Sequence, residues 1–204
     1  MPAPLTRAPA PPPKARQRIL DAAYDLFSRH GIRAVGIDSI IERSGVARMT
    51  LYRHFQSKDD LVLAFLEDRE RRWTRDWLQC EVQCRASAPD ERLLAIFDVF
   101  DGWFRQADFE GCSFINVLLE VANPSDSVHQ ASRVYLAHIR GFLEELATAA
   151  GVGDPHGFAR QWHILMKGSI VAAAEGDTDA ALRAKEIGRL LLSQRQNQAT
   201  PNER

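Results

Sequence analysis

Apolar residues recur at three- and four-residue intervals along most of the chain, with polar residues filling the positions between them. From Lys14 onward Ile19, Ala22, Ala23, Leu26, Phe27 and His30 share one helical face, and Gly31 is expected to close that helix as its C-cap glycine. A short second helix is expected from about Ile37 to Ser44, with Ile37, Ile40 and Ile41 inward. Gly45 follows, and a helix of roughly two turns then covers the stretch to Phe55, with Leu51 and Phe55 inward. Two helices that meet steeply across a short turn need a residue at positive φ, which glycine adopts without steric cost. The outline is therefore that of a helix-turn-helix.

The rest of the chain continues in the same period. Ser57-Lys58-Asp59-Asp60 has the Ser-x-x-Asp form of a capping box and opens a helix through Leu61 and Phe65 that runs past Trp73 and Trp77 towards Cys84. Pro89 stands near the first turn of the next helix, which carries Leu93, Ile96, Phe97, Phe100, Trp103 and Phe104. The apolar segment from Phe114 to Val121 stops at Asn123-Pro124, and a long pattern through Val128, Ala131, Val134, Tyr135, Ile139, Phe142, Leu143 and Leu146 ends near Gly151. The last two helices are expected at about Pro155–Ala174 and Asp177–Arg195. No segment alternates with the period of a strand, and none has a hairpin signal. The fold class is all-α, with about nine helices.

Composition changes this picture in three places. Residues 1–13 are rich in Pro and Ala and are expected to form a disordered arm, with a flexible tail at 196–204. No apolar run approaches the ~18 residues of a membrane span, and no apolar leader follows the N-terminal charges, so a cytoplasmic location without membrane contact is expected. Cys80, Cys84 and Cys112 are odd in number and form no CxxC pair, which argues for reduced thiols. The net charge of −1 hides a division: residues 1–58 hold ten Lys/Arg against four Asp/Glu, and residues 59–204 sixteen against twenty-three. A basic head on an acidic body suits a polyanion-binding module joined to something else.

The motifs sharpen that reading. Arg18-Ile19-Leu20-Asp21-Ala22-Ala23, Leu26-Phe27, Gly31, Ile40, Gly45-Val46, Thr50-Leu51-Tyr52-Arg53-His54-Phe55, Ser57-Lys58 and Leu61 together resemble the N-terminal domain of TetR-family regulators. The resemblance implies a helix-turn-helix DNA-binding domain over 14–57, and an effector-binding and dimerisation domain over 58–195. It implies a homodimer on a palindromic operator of double-stranded DNA, released by a small-molecule effector of unknown identity. The recognition helix enters the major groove by its N-terminal residues. Arg48 can pair with guanine O6 and N7, while Met49 and the Thr50 methyl suit a thymine methyl. Tyr52, His54 and Lys58 resemble the family's phosphate contacts, and Arg53 is grouped with them as DNA-binding. Where the family usually has Thr or Ser at the start of the second helix, this chain has Gly36, which removes a hydroxyl contact to phosphate.

The second half is less explicit. The terminal helices carry the stripes Phe158-Trp162-Leu165-Met166-Ile170-Ala173 and Ala181-Leu182-Ile187-Leu190-Leu191, with small residues Gly168, Ser169, Ala172 and Gly188 between them. In TetR-like proteins the corresponding pair forms a four-helix bundle with the partner subunit, so Phe158, Trp162, Leu165, Ile170, Ile187, Leu190 and Leu191 are the expected dimer interface. Cys112, Phe114, Asn116 and Glu120 lie on or beside one apolar helix, and polar groups there can orient a ligand. Trp103, Phe104, Trp162, His163 and Met166 are the other expected pocket walls. Glu120, His129 and His163 are legitimate metal-ligand types without local metal spacing, and Cys80 and Cys84 stand one turn apart, so a metal- or redox-responsive regulator is the alternative, with a protein-interaction adaptor after it. No cofactor, metal or catalytic role is expected: the chain lacks a Gly-rich phosphate loop, HExxH, GxSxG and paired Glu-x-x-His.

Overall fold

A computed structural model of the chain describes residues 14–199, and side chains as far as 194. The arm expected at 1–13 and the end of the expected tail, 200–204, lie outside the described residues. Those described form nine helices and no strand. They are α1 (Ala15–Ala34), α2 (Ile37–Ser44), α3 (Arg48–His54), α4 (58–85), α5 (Pro89–Phe104), α6 (Ser113–Glu120), α7 (Ser127–Ala149), α8 (Pro155–Ala174) and α9 (Ala180–Ala199). The last helix starts later than its pattern suggested and continues past Arg195. No helix among the described residues is long and apolar enough to cross a membrane.

The chain divides into two compact units that part between Val62 and Leu63, inside α4. In the first, Ile19, Ala23 and Phe27 of α1, Ile40 of α2, Leu51 of α3 and the adjoining Phe55 are buried together, with the Arg16 guanidinium 5.3 Å from the Phe55 ring centroid. Ile37 and Ile41 are only half-buried and His30 is exposed, so the inward stripe is narrower than its sequence pattern. Gly31 does take a positive φ of 77°, but the helix resumes for one more turn beyond it. Gly45, at φ 63° and ψ 30°, caps α2 through its N–H, bonded to the Ile41 and Glu42 carbonyl oxygens. A Cβ there would meet open space, so its requirement for glycine is torsional and not steric.

The second unit is built around α5, whose Leu93, Ile96, Phe97, Phe100 and Trp103 are buried, and which packs against α4, α7, α8 and α9. Here α4 departs from ordinary helix: Glu70–Gln79 is wound as a π-helix. Its ion pairs show the wider turn, because Arg75 meets Glu70 at 2.9 Å and Arg71 meets Asp76 at 3.1 Å, both five residues apart. Residues five apart do not adjoin on an α-helix, but the i→i+5 winding brings them together. Leu66, Glu70, Thr74, Leu78 and Val82 are all buried at a strict spacing of four. On a straight α-helix such a row drifts by about 40° at each step, and local unwinding returns it to the core.

Candidate nucleic-acid interface and sensor core

The recognition helix is set by one inward and several outward residues. Leu51 is fully buried and pins α3 to the first unit, while Arg48, Met49, Tyr52, Arg53 and His54 face solvent and Thr50 is half-exposed. Met49 is 78% exposed, so no described residue of its own chain covers this large apolar side chain. Tyr52 is 43% exposed and is not a core aromatic; Phe55 is. The guanidinium of Arg48 is paired with Asp38 on α2, ten residues away, a partner that periodicity does not reveal.

Lys58 is the first residue of α4 and half-buried. The capping box forms as expected on one side, with Ser57 Oγ accepting from the Asp60 N–H at 3.0 Å. The reciprocal bond slips by one residue: the Asp60 carboxylate accepts from Gln56 N–H at 3.1 Å. One of the open N–H groups at this helix end is thus already satisfied. Gly36 caps α2 with no side-chain hydrogen bond, and a Cβ there would meet nothing within 4 Å, so the site has room for the hydroxyl residue it lacks.

The residues expected around a ligand fall into separate neighbourhoods. Trp103 and Phe104 belong to a ring cluster with Trp73, Trp77, Phe100 and Phe109, with Trp103 and Phe109 centroids 4.9 Å apart and Trp73 and Trp103 5.0 Å apart. Phe114 stacks on Tyr135 at 5.4 Å, and Trp162 packs between Phe97 and Phe158 at 5.4 and 5.2 Å. Cys112, His163 and Met166 are buried and Glu120 half-buried. Asn116 stands apart from them: it is exposed, and its Nδ2 donates to the Glu110 carbonyl oxygen at 3.3 Å. One helical turn brings it onto the Cys112 face in sequence, but the backbone of the preceding loop occupies its amide instead.

His163 is 3% exposed, and burial first, then the charges of Lys167 and Arg140, push its pKa down to about 3. Burial likewise raises the Cys112 thiol. Among the described residues no group of three His, Cys, Asp or Glu could hold a metal, and His129 Nδ1 lies 2.6 Å from the Val121 carbonyl oxygen. Cys80 and Cys84 are exposed free thiols.

The dimer residues also divide. Phe158, Trp162 and Ile170 are buried within their own chain, which corrects their expected place on an open interface. A helix with apolar residues on two faces does not show by its period which face its own domain takes. Among the described residues of these two helices, the exposed large apolar side chains are Ile164 and Val171 on α8 and Leu182, Ile187 and Leu190 on α9; Leu165 and Leu191 are half-buried. Ile164 and Val171, seven residues apart on one face of α8, stand outside the apolar stripe read from the sequence. Gly188 also has a role within the chain: a Cβ there would stand 2.8 Å from Trp162 Cη2, so glycine lets α9 close against α8.

Comparison with known proteins gives this geometry a context. Residues 19–65 match the family model described as bacterial regulatory proteins, tetR family. The transcriptional regulator QacR of Staphylococcus aureus is 29% identical over 72 residues, which are 35% of this chain and 38% of that protein. The chain thus matches well under two thirds of that curated relative's length. The crystal structure of SCO4454, a TetR-family transcriptional regulator from Streptomyces coelicolor, superposes with a TM-score of 0.79 at 30% identity, covering 89% of this chain and 95% of that one. Regulatory protein TetR from Rhodobacter sphaeroides gives 0.75 at 23% identity over 86% and 97%, a likeness of fold.

Proposed function

The chain belongs to the TetR family of transcriptional regulators, and from that premise we propose that it is a repressor that binds a palindromic operator as a homodimer and is released by a small-molecule effector. The observation that supports the DNA-binding role most directly is the outward face of α3, where Arg48, Met49 and Tyr52 project from a helix anchored by the buried Leu51. Arg48 reads a guanine, exchanging Asp38 for the base. An exposed ion pair is worth at most about 1 kcal/mol, so the exchange costs little. Met49 and Thr50 meet thymine methyl groups, while Tyr52, Arg53, His54 and Lys58 hold the backbone. A recognition helix of seven residues reads few bases, and two-fold symmetry doubles the site. The effector acts from the helical unit by binding more tightly to a conformation whose two heads misfit the operator.

The direct test is to capture fragmented genomic DNA on the purified protein and sequence what is bound. A palindromic motif supports the reading; no enrichment even at low salt, where phosphate contacts are strongest, leaves an adaptor as the better account. A reporter placed behind the recovered operator then shows repression as lower expression with the protein present and recovery with effector.

Two substitutions separate the roles of the contacts. Arg48→Ala is expected to lose ~1–3 kcal/mol of discrimination at one base pair, measured by competition among single-base operator variants; an unchanged preference removes Arg48 from base readout. Lys58→Ala should weaken all duplexes alike and lower the slope of log K against log salt by about 1. An unaltered slope removes Lys58 from the phosphate contacts.

A further inference from the structure

Among the described residues of the helical unit, four buried polar atoms have no hydrogen-bond partner: Trp73 Nε1, Thr74 Oγ1, Trp162 Nε1 and His163 Nδ1. Asp68 Oδ2 is not of this kind, since Arg72 Nε lies 2.7 Å from it. An indole N–H can only donate, and a hydroxyl and a neutral imidazole each carry a proton to give. Native interiors leave few such groups unmatched. The two indole N–H groups lack acceptors, and Thr74 Oγ1 and His163 Nδ1 lack a partner of either kind.

The cations repeat the imbalance. His163 and Lys167 are four residues apart and share a face of α8, and α7, which packs on α8, brings Arg140 near both. Lys167 and Arg140 are half-buried, and neither has a carboxylate partner among the described residues; Arg140 Nη1 donates only to the Leu136 carbonyl oxygen, at 3.2 Å. Elsewhere in the same unit a half-buried cation is neutralised, as Lys185 is by Asp98 at 2.6 Å. Cys112, close enough to Lys167 to interact with it, supplies no negative charge, because burial keeps its thiol protonated. The strain is electrostatic: Lys167 and Arg140 are held below their ordinary pKa values, by burial first and then by neighbouring cations, with Arg160 and Arg133 adding to the repulsion on Arg140.

We propose that His163, Lys167 and Arg140 receive the oxyanion headgroup of the effector, with its apolar part against Met166, which is buried one turn along α8 from His163. A carboxylate or a phosphate ester shares the needed chemistry: it accepts several hydrogen bonds and carries the missing charge. Charge-assisted bonds to Lys and Arg in a partly desolvated site are the stronger kind. The inference rests on the effector reading above and names the chemistry of that effector.

The test titrates the purified full chain with decanoate, decyl phosphate, decanol and decyltrimethylammonium, each below its micellar concentration, following tryptophan emission and thermal melting. Release from the operator fragment is scored separately. At least one of the two anions is expected to bind about tenfold or more tightly than decanol and the cation, and their order tells carboxylate from phosphate. Lys167→Gln and Arg140→Gln should each weaken the anion about tenfold and leave decanol unchanged. Without ligand these variants should melt no lower than the parent, because each loses an unpaired, half-buried charge. Equal binding of decanol or the cation, no binding by any of the four, or anion affinities unaltered in both variants overturns the proposal. Anion binding that depends on Lys167 but leaves the operator complex intact upholds the site and overturns the effector reading instead.

Discussion

With Ile164 and Leu190 both replaced by aspartate, the protein is expected to sediment at its chain mass of 22.9 kDa, and the parent at twice that. The parent exposes Ile164 at 69% and Leu190 at 64%, with Val171 and Ile187 also about half in water, all on α8 and α9. Several large apolar side chains exposed on two helices suit a surface that associates, and under the proposed dimer a second copy presenting the same helices would cover them by two-fold symmetry. Aspartate at these positions would have to bury an unpaired carboxylate on association, which is strongly unfavourable. Both side chains lie outside the core, so the fold should survive, and the thermal melt of the variant checks that it does. With the two heads uncoupled, affinity for a palindrome should fall by roughly 10²–10⁴, whereas affinity for a single half-site should not change. A parent that sediments as a monomer overturns the homodimer, and a variant that remains dimeric places the interface on other residues.

Trp162→Ala is expected to destabilise the helical unit by about 3–5 kcal/mol. That lowers the melting midpoint of a chain this size by roughly 6–20 °C. The indole is fully buried, stacked on Phe158, tilted against Phe97 and approached by the backbone of Gly188. Few atoms of the surrounding helices can move into the space it leaves, so the lost transfer energy is joined by the cost of a cavity. The comparison that matters is with the Ile164/Leu190 double variant. If Trp162 belongs to its own chain's core, the loss is the same in both backgrounds and independent of protein concentration. A loss confined to the dimeric background would return Trp162 to the interface.

The parts of this protein that were legible in its amino-acid order are those whose causes are local. The bounds of α2, the positive φ of Gly45, the Ser57 cap of α4 and the proline at the start of α5 each follow from a few adjacent residues. The outward face of α3 was legible for the same reason, since a short helix with Leu51 as its single buried side chain has one face to hide and the rest to present. The partner of Arg48 was not, because Asp38 reaches it across the turn between two helices. The π-helical stretch of α4 left a trace in the four-residue spacing from Leu66 to Val82, but a reading that assumes 3.6 residues per turn takes such a row for ordinary amphipathicity.

The order of residues by itself determined the all-helical class, the position of the helix-turn-helix and the side chains that α3 presents to solvent, because periodicity, caps and turn torsions act over one or two turns of chain. Tertiary structure alone decided which apolar stripe of α8 faces inward, that Asn116 turns to a loop carbonyl, and that Lys167 and Arg140 sit half-buried beside His163 without a counter-charge. Those outcomes depend on which helix lies against which. Apolar burial has no direction of its own, so a stripe of Phe, Trp, Ile and Val serves equally well for a core or for a partner until the packing of the other helices has covered one face and left the next in water.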